Sequence, residues 1–489
     1  MRQLSDHIAR SPQSTLLAGP AHSWMRRQAT AVSTRWILRY LRVDDSRGAS
    51  VARDAARALA STVSTARADK HARFNIVGFC SSPITSWLGF TVGSHQAERG
   101  TGASRDGRGG GKLWGSAKLN QEIIASRSAG EILAIVEDRG ESFNEVNVAT
   151  TVNKLSKVAK ARDDLRRDPR YRRLLELVRL HCGRFRAREV SNVAHGLGML
   201  CANKGAGNID KETAELLMRA VQETANEMNP QNIANVLNAL SKLDAAAAAV
   251  SREGWKLLAE AAEWEAREMN PQAIANVLNA LSKLDAASAA VSQEGWSHFS
   301  VAAERHAVAM NAQNVSNTLN AYAEMRKRRP QASAAVTETG WHSLAAATAR
   351  TAPTMTNQEI TLTVDAAKKL DAFASAIDDE GWELLAAAVA RMALDFNAQQ
   401  AVLALSAVGW KQELARSLHR QGGFDALIGS IERNIDAIRR GYPPDFAKET
   451  RKTLRAIRLI YEHEDGAYGD QRLERLRTEL QTKPGNRQK

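Results

Sequence analysis

The stretch Met228-Asn-Pro-Gln-Asn-Ile-Ala-Asn-Val-Leu-Asn-Ala-Leu-Ser-Lys-Leu-Asp244 returns almost letter for letter at Met269 to Asp285. Self-similarity at a fixed step means that one supersecondary unit is stacked on copies of itself and cannot cover its apolar face alone. Looser copies begin Met310-Asn-Ala-Gln-Asn-Val-Ser-Asn, Met355-Thr-Asn-Gln-Glu-Ile and Phe396-Asn-Ala-Gln-Gln-Ala downstream. Upstream, Phe143-Asn-Glu-Val-Asn-Val-Ala-Thr and Phe185-Arg-Ala-Arg-Glu-Val-Ser-Asn fit the same template. A second marker, Gly-Trp at 254/255, 295/296, 340/341 and 381/382, keeps the same steps. The single long step coincides with Met325-Arg-Lys-Arg-Arg-Pro330, which reads as a surface loop insertion.

Each unit reads as two helices. Asn229 suits an N-cap and Pro230 the first helical position, where its missing N–H costs nothing. Ile233, Val236, Leu237, Leu240 and Leu243 then recur at three- and four-residue steps, giving one buried stripe. Trp255, Leu258, Ala259, Ala262 and Ala266 do the same in the second helix, with Gly254 near its start. The expected fold is all-α, an α-solenoid of two-helix repeats of about 41 residues. The Gly-Trp indoles are expected to fill gaps between units, the alternative being exposed platforms on which bases stack.

The organisation is then a leader and flexible linker over 1–115, a repeat array over 116–420 and a helical cap over 421–489. Arg2, Arg10, Arg26, Arg27, Arg35, Arg39 and Arg42 precede Asp44 with Asp6 as the sole acid, a composition shared by organelle transit peptides and plain basic tails. Trp36 to Val43 reads as a short basic amphipathic helix, and Phe74 to Val92 is too interrupted by polar residues to span a membrane. Ser128-Ala-Gly-Glu131 is a capping box opening an entry helix. The net charge of +13 favours polyanionic partners without naming them. Cys80, Cys182 and Cys201 form no CxxC pair and imply no disulfide framework.

Nothing in the sequence carries catalysis, and no cofactor or metal is expected. The motifs HExxH, GxSxG and GxGxxG are absent, Gly111-Lys112-Leu113 lacks the Ser or Thr of a phosphate loop, and Glu462-His463-Glu464-Asp465 reads as a solvated charge run. What remains is the polar face of the repeated first helix. Asn235, Asn238 and Lys242 lie opposite the apolar stripe, and Asn276, Asn279 and Lys283, then Asn317 and Asn320, repeat them. Earlier units offer Asn192 with His195, and Asn153 with Lys157. Asparagine presents a donor and an acceptor together, suiting a base edge, and lysine suits phosphate. Two readings stay open: a base-facing row, as in helical-repeat RNA readers, or an inter-repeat ladder of structural hydrogen bonds.

The phrase Asn-Pro-Gln-Asn-Ile-Ala-Asn-Val-Leu-Asn-Ala-Leu-Ser-Lys-Leu, with its Phe143 and Phe185 variants, resembles the repeats of organellar RNA-metabolism proteins, the octotricopeptide-repeat and FAST-kinase-like families. That resemblance implies single-stranded RNA as partner, with other RNA-processing proteins beside it, in plastid or mitochondrion. No segment after residue 421 looks like the RAP domain that often closes such proteins. The repeats are also similar to the Ser-Lys-Trp-Pro repeats of type III effectors of plant-pathogenic bacteria, Ser241-Lys-Leu-Asp244 and Ser282-Lys-Leu-Asp285 standing where that tetrapeptide falls. That second resemblance implies a protein-binding scaffold secreted into a host cell.

Overall fold

The computed structural model of the protein describes residues 110–203 and 206–440, with 450, 475, 476 and 478–480, all within the unit spanning 105–489. Residues 1–109, with the segments Trp36 to Val43 and Phe74 to Val92, lie outside the described residues, as do the Glu462 to Asp465 cluster and most of the expected C-terminal helices. The described residues form helices and no strand.

Every expected unit is present. Its start residue, Phe143, Phe185, Met228, Met269, Met310, Met355 or Phe396, is buried in extended backbone between a 3-10 turn and the first helix. In the Met228 unit Asn229 is the N-cap, its side chain accepting the Asn232 N–H at 2.9 Å while the Asn232 side chain accepts the Asn229 N–H at 3.4 Å. Two orphan donors of the helix start are thereby satisfied reciprocally. The helix Pro230–Leu240 buries Ile233, Val236, Leu237 and Leu240, as their spacing requires; Leu243 is buried too but lies beyond the helix end.

The first helices pack side by side in chain order, from Glu145–Val158 and Ala187–Asn203 through Pro230–Leu240, Pro271–Lys283, Ala312–Met325 and Asn357–Lys369 to Ala398–Val408. Glycines set the closest approach. A Cβ on Gly196 would lie 3.0 Å from the carbonyl carbon and oxygen of Val152, and one on Gly198 3.0 Å from the Cα of Ala239. The middle helix of these three is thus pressed between both neighbours.

The second helices explain the Gly-Trp marker. Ser251, Ser292, Thr337 and Asp378 cap them by accepting the N–H of Gly254, Gly295, Gly340 and Gly381 at 3.0, 2.9, 2.9 and 2.8 Å. Glu263 of the preceding second helix accepts both the N–H and the hydroxyl of Ser292 at 2.7 Å, and a Cβ at 295 would stand 2.3 Å from its Cδ. Glycine therefore makes room for a carboxylate that ties one unit to the next. Trp255, Trp296, Trp341 and Trp382 are all buried, Trp296 lying edge-on to Phe299 and Trp341 edge-on to Tyr322, so the indoles are packing elements.

Further polar ties join consecutive units at the opposite end of the second helices. Arg350 donates to the carbonyls of Ala307 and Met310 at 3.1 and 2.7 Å, Arg391 to those of Ala352, Pro353 and Met355, and Arg433 to that of Leu394. Arg305 reaches the carbonyl of Arg267 in the same manner.

Short helices stand between the two long ones in the four units from 228 to 376: Asp244–Ala249, Asp285–Ala290, Pro330–Ala334 and Asp371–Ala376. Each packs on the second helix of the preceding unit. In the Phe396 unit this place is taken by Gln412–Arg420, and Gly423–Arg433 completes the unit, with buried Phe424 where the others hold tryptophan. The repeat pattern thus runs past the expected boundary at 420. At the other end helix begins at Gly110 rather than Ser116, and Gly110–Ala125 packs on Glu145–Val158. Ser128 caps the entry helix Ala129–Arg139, accepting the Glu131 N–H at 3.3 Å.

Candidate nucleic-acid interface

The side-by-side first helices carry the row residues across the array in three lines. Asn192, Asn235, Asn276 and Asn317 form one, Asn153, His195, Asn238, Asn279 and Asn320 the second, and Lys157, Lys242 and Lys283 the third. Neighbouring helix axes at such contacts stand roughly 8–10 Å apart, which sets the step from one residue to the next along a line. The asparagines, His195 and Lys242 are half-buried, while Lys157 and Lys283 are exposed. Lys242 falls in the turn just after Leu240, whereas Lys283 is the last residue of its helix.

Charges feel one another along the lines. Burial first, and then the Lys242 and Lys157 ammonium groups, hold the His195 imidazole below its ordinary value. Burial first, and then Lys283, lowers Lys242. The Lys242 Nζ also lies 3.4 Å from Met199 Sδ, which occupies the lysine position of the unit before. Lys157, Lys242 and Lys283, interrupted at Met199, therefore stand beside the asparagines with no acid partner among the described residues.

Among the described residues, none of the eight asparagine side chains in the row makes a hydrogen bond. The Oδ1 of Asn153 and the Nδ1 of His195 are shut off from water with no partner. Backbone carbonyls of the row do accept hydroxyls, Asn153 from Ser156 at 2.7 Å and Asn238 and Asn279 from Ser241 and Ser282 at 2.8 Å. Asparagines that do bridge units stand elsewhere, on the helix-start face: Asn232 donates to the Ser191 hydroxyl at 2.9 Å and Asn147 to the Ser116 carbonyl at 3.1 Å. An inter-unit ladder exists, but capping residues and arginines build it.

Sequence reasoning stopped the row at Asn320, yet the register continues. The 45-residue step to the Met355 unit puts Asp365 in line with Asn320 and Lys369 in line with Glu324. Lys369 Nζ is 2.7 Å from both Glu324 and Asp365, so this end of the row is neutralised internally. The insertion after Met325 folds back across the same end. Arg328 donates to the Ser282 carbonyl at 2.5 Å, Arg326 to the Lys369 carbonyl at 2.5 Å, and Arg329 pairs with Asp285 at 3.1 Å. Exposed Lys327 sits among them, so the insertion brings fresh positive charge to the end of the lysine line, beside Lys283. Its Arg-Lys-Arg-Arg composition was the available signal.

Among the described residues no group of three or more His, Cys, Asp or Glu is placed to hold a metal ion, and no helix is long and apolar enough to cross a membrane. A cavity of about 510 Å³ lined by Trp341, His342 and Ser375 contains none of the row. Burial pushes the thiols of Cys182 and Cys201 up to about 12 and about 11, which keeps both protonated and unreactive at neutral pH. Residues 1–109 carry a net charge of +9 and residues 441–489 one of +3, so twelve of the thirteen net charges lie outside the array. The case for a polyanion on the array therefore rests on the local lysine line, not on the total.

Three histidines are expected to make the fold acid-sensitive. His181, His195 and His306 all have lowered proton affinity, with burial as the first cause. The unfolded chain then binds more protons than the folded one, so stability is full above the ordinary histidine value of about 6.5 and is lost as pH falls through it. Denaturant midpoints should drop between pH 7.5 and 5.5, and His195→Asn should remove part of that drop; an unchanged pH profile would contradict the placement of the imidazole.

The fold and row define an all-α helical-repeat protein. A family described as a protein of unknown function (DUF1601) matches residues 211–237 and 265–278, in each case running from a second helix through the capping asparagine into a first helix. No curated protein matches this chain. Among solved structures, a chain in the homology model of the full-length AP-3 complex in an intermediate open conformation aligns over 74% of this chain and 74% of that one. Its identity is 8% and its TM-score 0.18, values that bear on neither fold nor function.

Proposed function

We propose that the array binds single-stranded RNA along the asparagine row, without catalysis of its own, and acts on transcript stability, processing or translation. The observation that carries this reading is the row of half-buried amides with no hydrogen-bond partner among the described residues, flanked by lysines with no acid partner among them. An amide free of bonds to its own chain keeps both its donor and its acceptor for a ligand. Base edges offer the complementary donor and acceptor, and the lysine line runs where a phosphate backbone would follow. The proposed setting, plastid or mitochondrion, rests on the octotricopeptide-like resemblance and on the composition of residues 1–115.

The test is anisotropy of labelled single-stranded RNA with the full chain over a salt series. Lys242→Ala with Lys283→Ala should weaken binding to every strand alike and flatten the salt slope by about 1.4, at about 0.7 per phosphate contact. Asn276→Ala with Asn279→Ala should cost about 1–3 kcal/mol on the preferred strand and leave other strands nearly unchanged. Because these amides bond nothing among the described residues, the same variant should keep its melting temperature. A lowered melting temperature with unchanged selectivity would return the row to a structural role and leave a protein-binding scaffold as the better account.

A further inference from the structure

Three consecutive units present the same pair of amides. Asn235 with Asn238, Asn276 with Asn279 and Asn317 with Asn320 occupy equivalent positions on adjacent first helices, all half-buried and none hydrogen-bonded within the described residues. Their surroundings match as well: Val236, Leu237 and Ala239 recur as Val277, Leu278 and Ala280, then as Thr318, Leu319 and Ala321, every one buried. Identical pairs in equivalent settings select identical edges, whichever base that is. A mixed triplet would leave at least one half-buried amide unpaired.

The units on either side break the pattern. In the Phe185 unit His195 replaces the second asparagine, and its neutral ring offers one donor and one acceptor on opposite sides instead of an amide's adjacent pair. In the Met355 unit the equivalent residue is Asp365, already held by Lys369 at 2.7 Å.

Resting on the RNA reading above, we propose that the strand bound here carries a run of three identical bases, read by the Met228, Met269 and Met310 units, and that His195 ends the run at one side by selecting a different base. The lysines hold the backbone of whatever strand is present; the amide pairs set which strand stays.

The experiment uses the full chain and unstructured twelve-nucleotide RNAs of fixed flanking sequence, in competition anisotropy. Four carry a central triplet of a single base, and a second set carries mixed triplets. One single-base triplet should bind about tenfold more tightly than every mixed triplet, the discrimination expected for one unpaired contact. His195→Asn installs the residue that the next three units already hold, so its melting temperature should match that of the parent. It should shift preference from a run of three to a run of four, again by about tenfold. A mixed triplet that binds best, or a His195→Asn variant still indifferent to a fourth base, would overturn the proposal. Equal, salt-dependent binding of all strands would overturn it while leaving RNA binding in place, and failure of every strand to bind would remove both.

Discussion

Trp296→Ala is expected to destabilise the array by about 3–5 kcal/mol, the usual cost of removing a buried aromatic side chain. The indole is 1% exposed, edge-on to Phe299 at 6.0 Å between ring centres, and sits in the middle of the array. Collapse around the void is limited because the same helix end is pinned to Glu263 through Ser292. Since each unit touches only its neighbours, the loss should appear as early melting of the central units, with hydrogen exchange accelerating first between Met228 and Thr354. A variant that melts normally but no longer binds RNA would instead place the indole at the ligand.

Gly196→Ala sets two effects of opposite sign against each other. In a helix interior alanine is favoured over glycine by roughly 0.5–1 kcal/mol, so local propensity predicts a gain. The added Cβ would, however, stand 3.0 Å from the backbone carbonyl of Val152, and backbone cannot rotate away as a side-chain tip can. Overpacking of this kind costs typically about 1–3 kcal/mol, so we expect a net loss, read as a lower denaturant midpoint. Gly130, with open space around its Cβ position, is the internal control: Gly130→Ala should be neutral or stabilising. Opposite signs at these two glycines would confirm that close helix approach, not propensity, fixes the residue at 196.

Much of this fold was legible because its information is local and repeated. The stripe from Ile233 to Leu240, the Asn229 cap and the alternation of unit starts need only helical periodicity and a count of residues. The row itself was legible for the same reason, since residues at equal offsets on packed equivalent helices must align. The short helix Asp244–Ala249 was not: five of its six residues are alanine, leaving no apolar period to detect. Nor were the ties between units, such as Ser292 with Glu263 or Arg350 with Ala307, whose partners lie 29 and 43 residues apart. The closed end of the row escaped because the insertion at 326–329 displaces Asp365 and Lys369 from the 41-residue register.

The Ser292 to Glu263 joint is repeated in kind between Ser251 and Gln222, at 3.0 Å, and between Thr337 and Glu304, at 3.0 Å. Each joint is drawn from the same few residue types, so a unit does not need a particular neighbour, only one bearing a compatible surface. Excising 41 residues between equivalent points, from Gly254 through Glu294, would join Glu253 to Gly295 and leave the Ser251 to Gln222 joint intact. The Met228 and Met269 copies are nearly identical, so each presents its neighbours with the same surface. On that footing the chain can lengthen or shorten by whole units, and the face formed by its first helices changes length in integer steps rather than by gradual redesign.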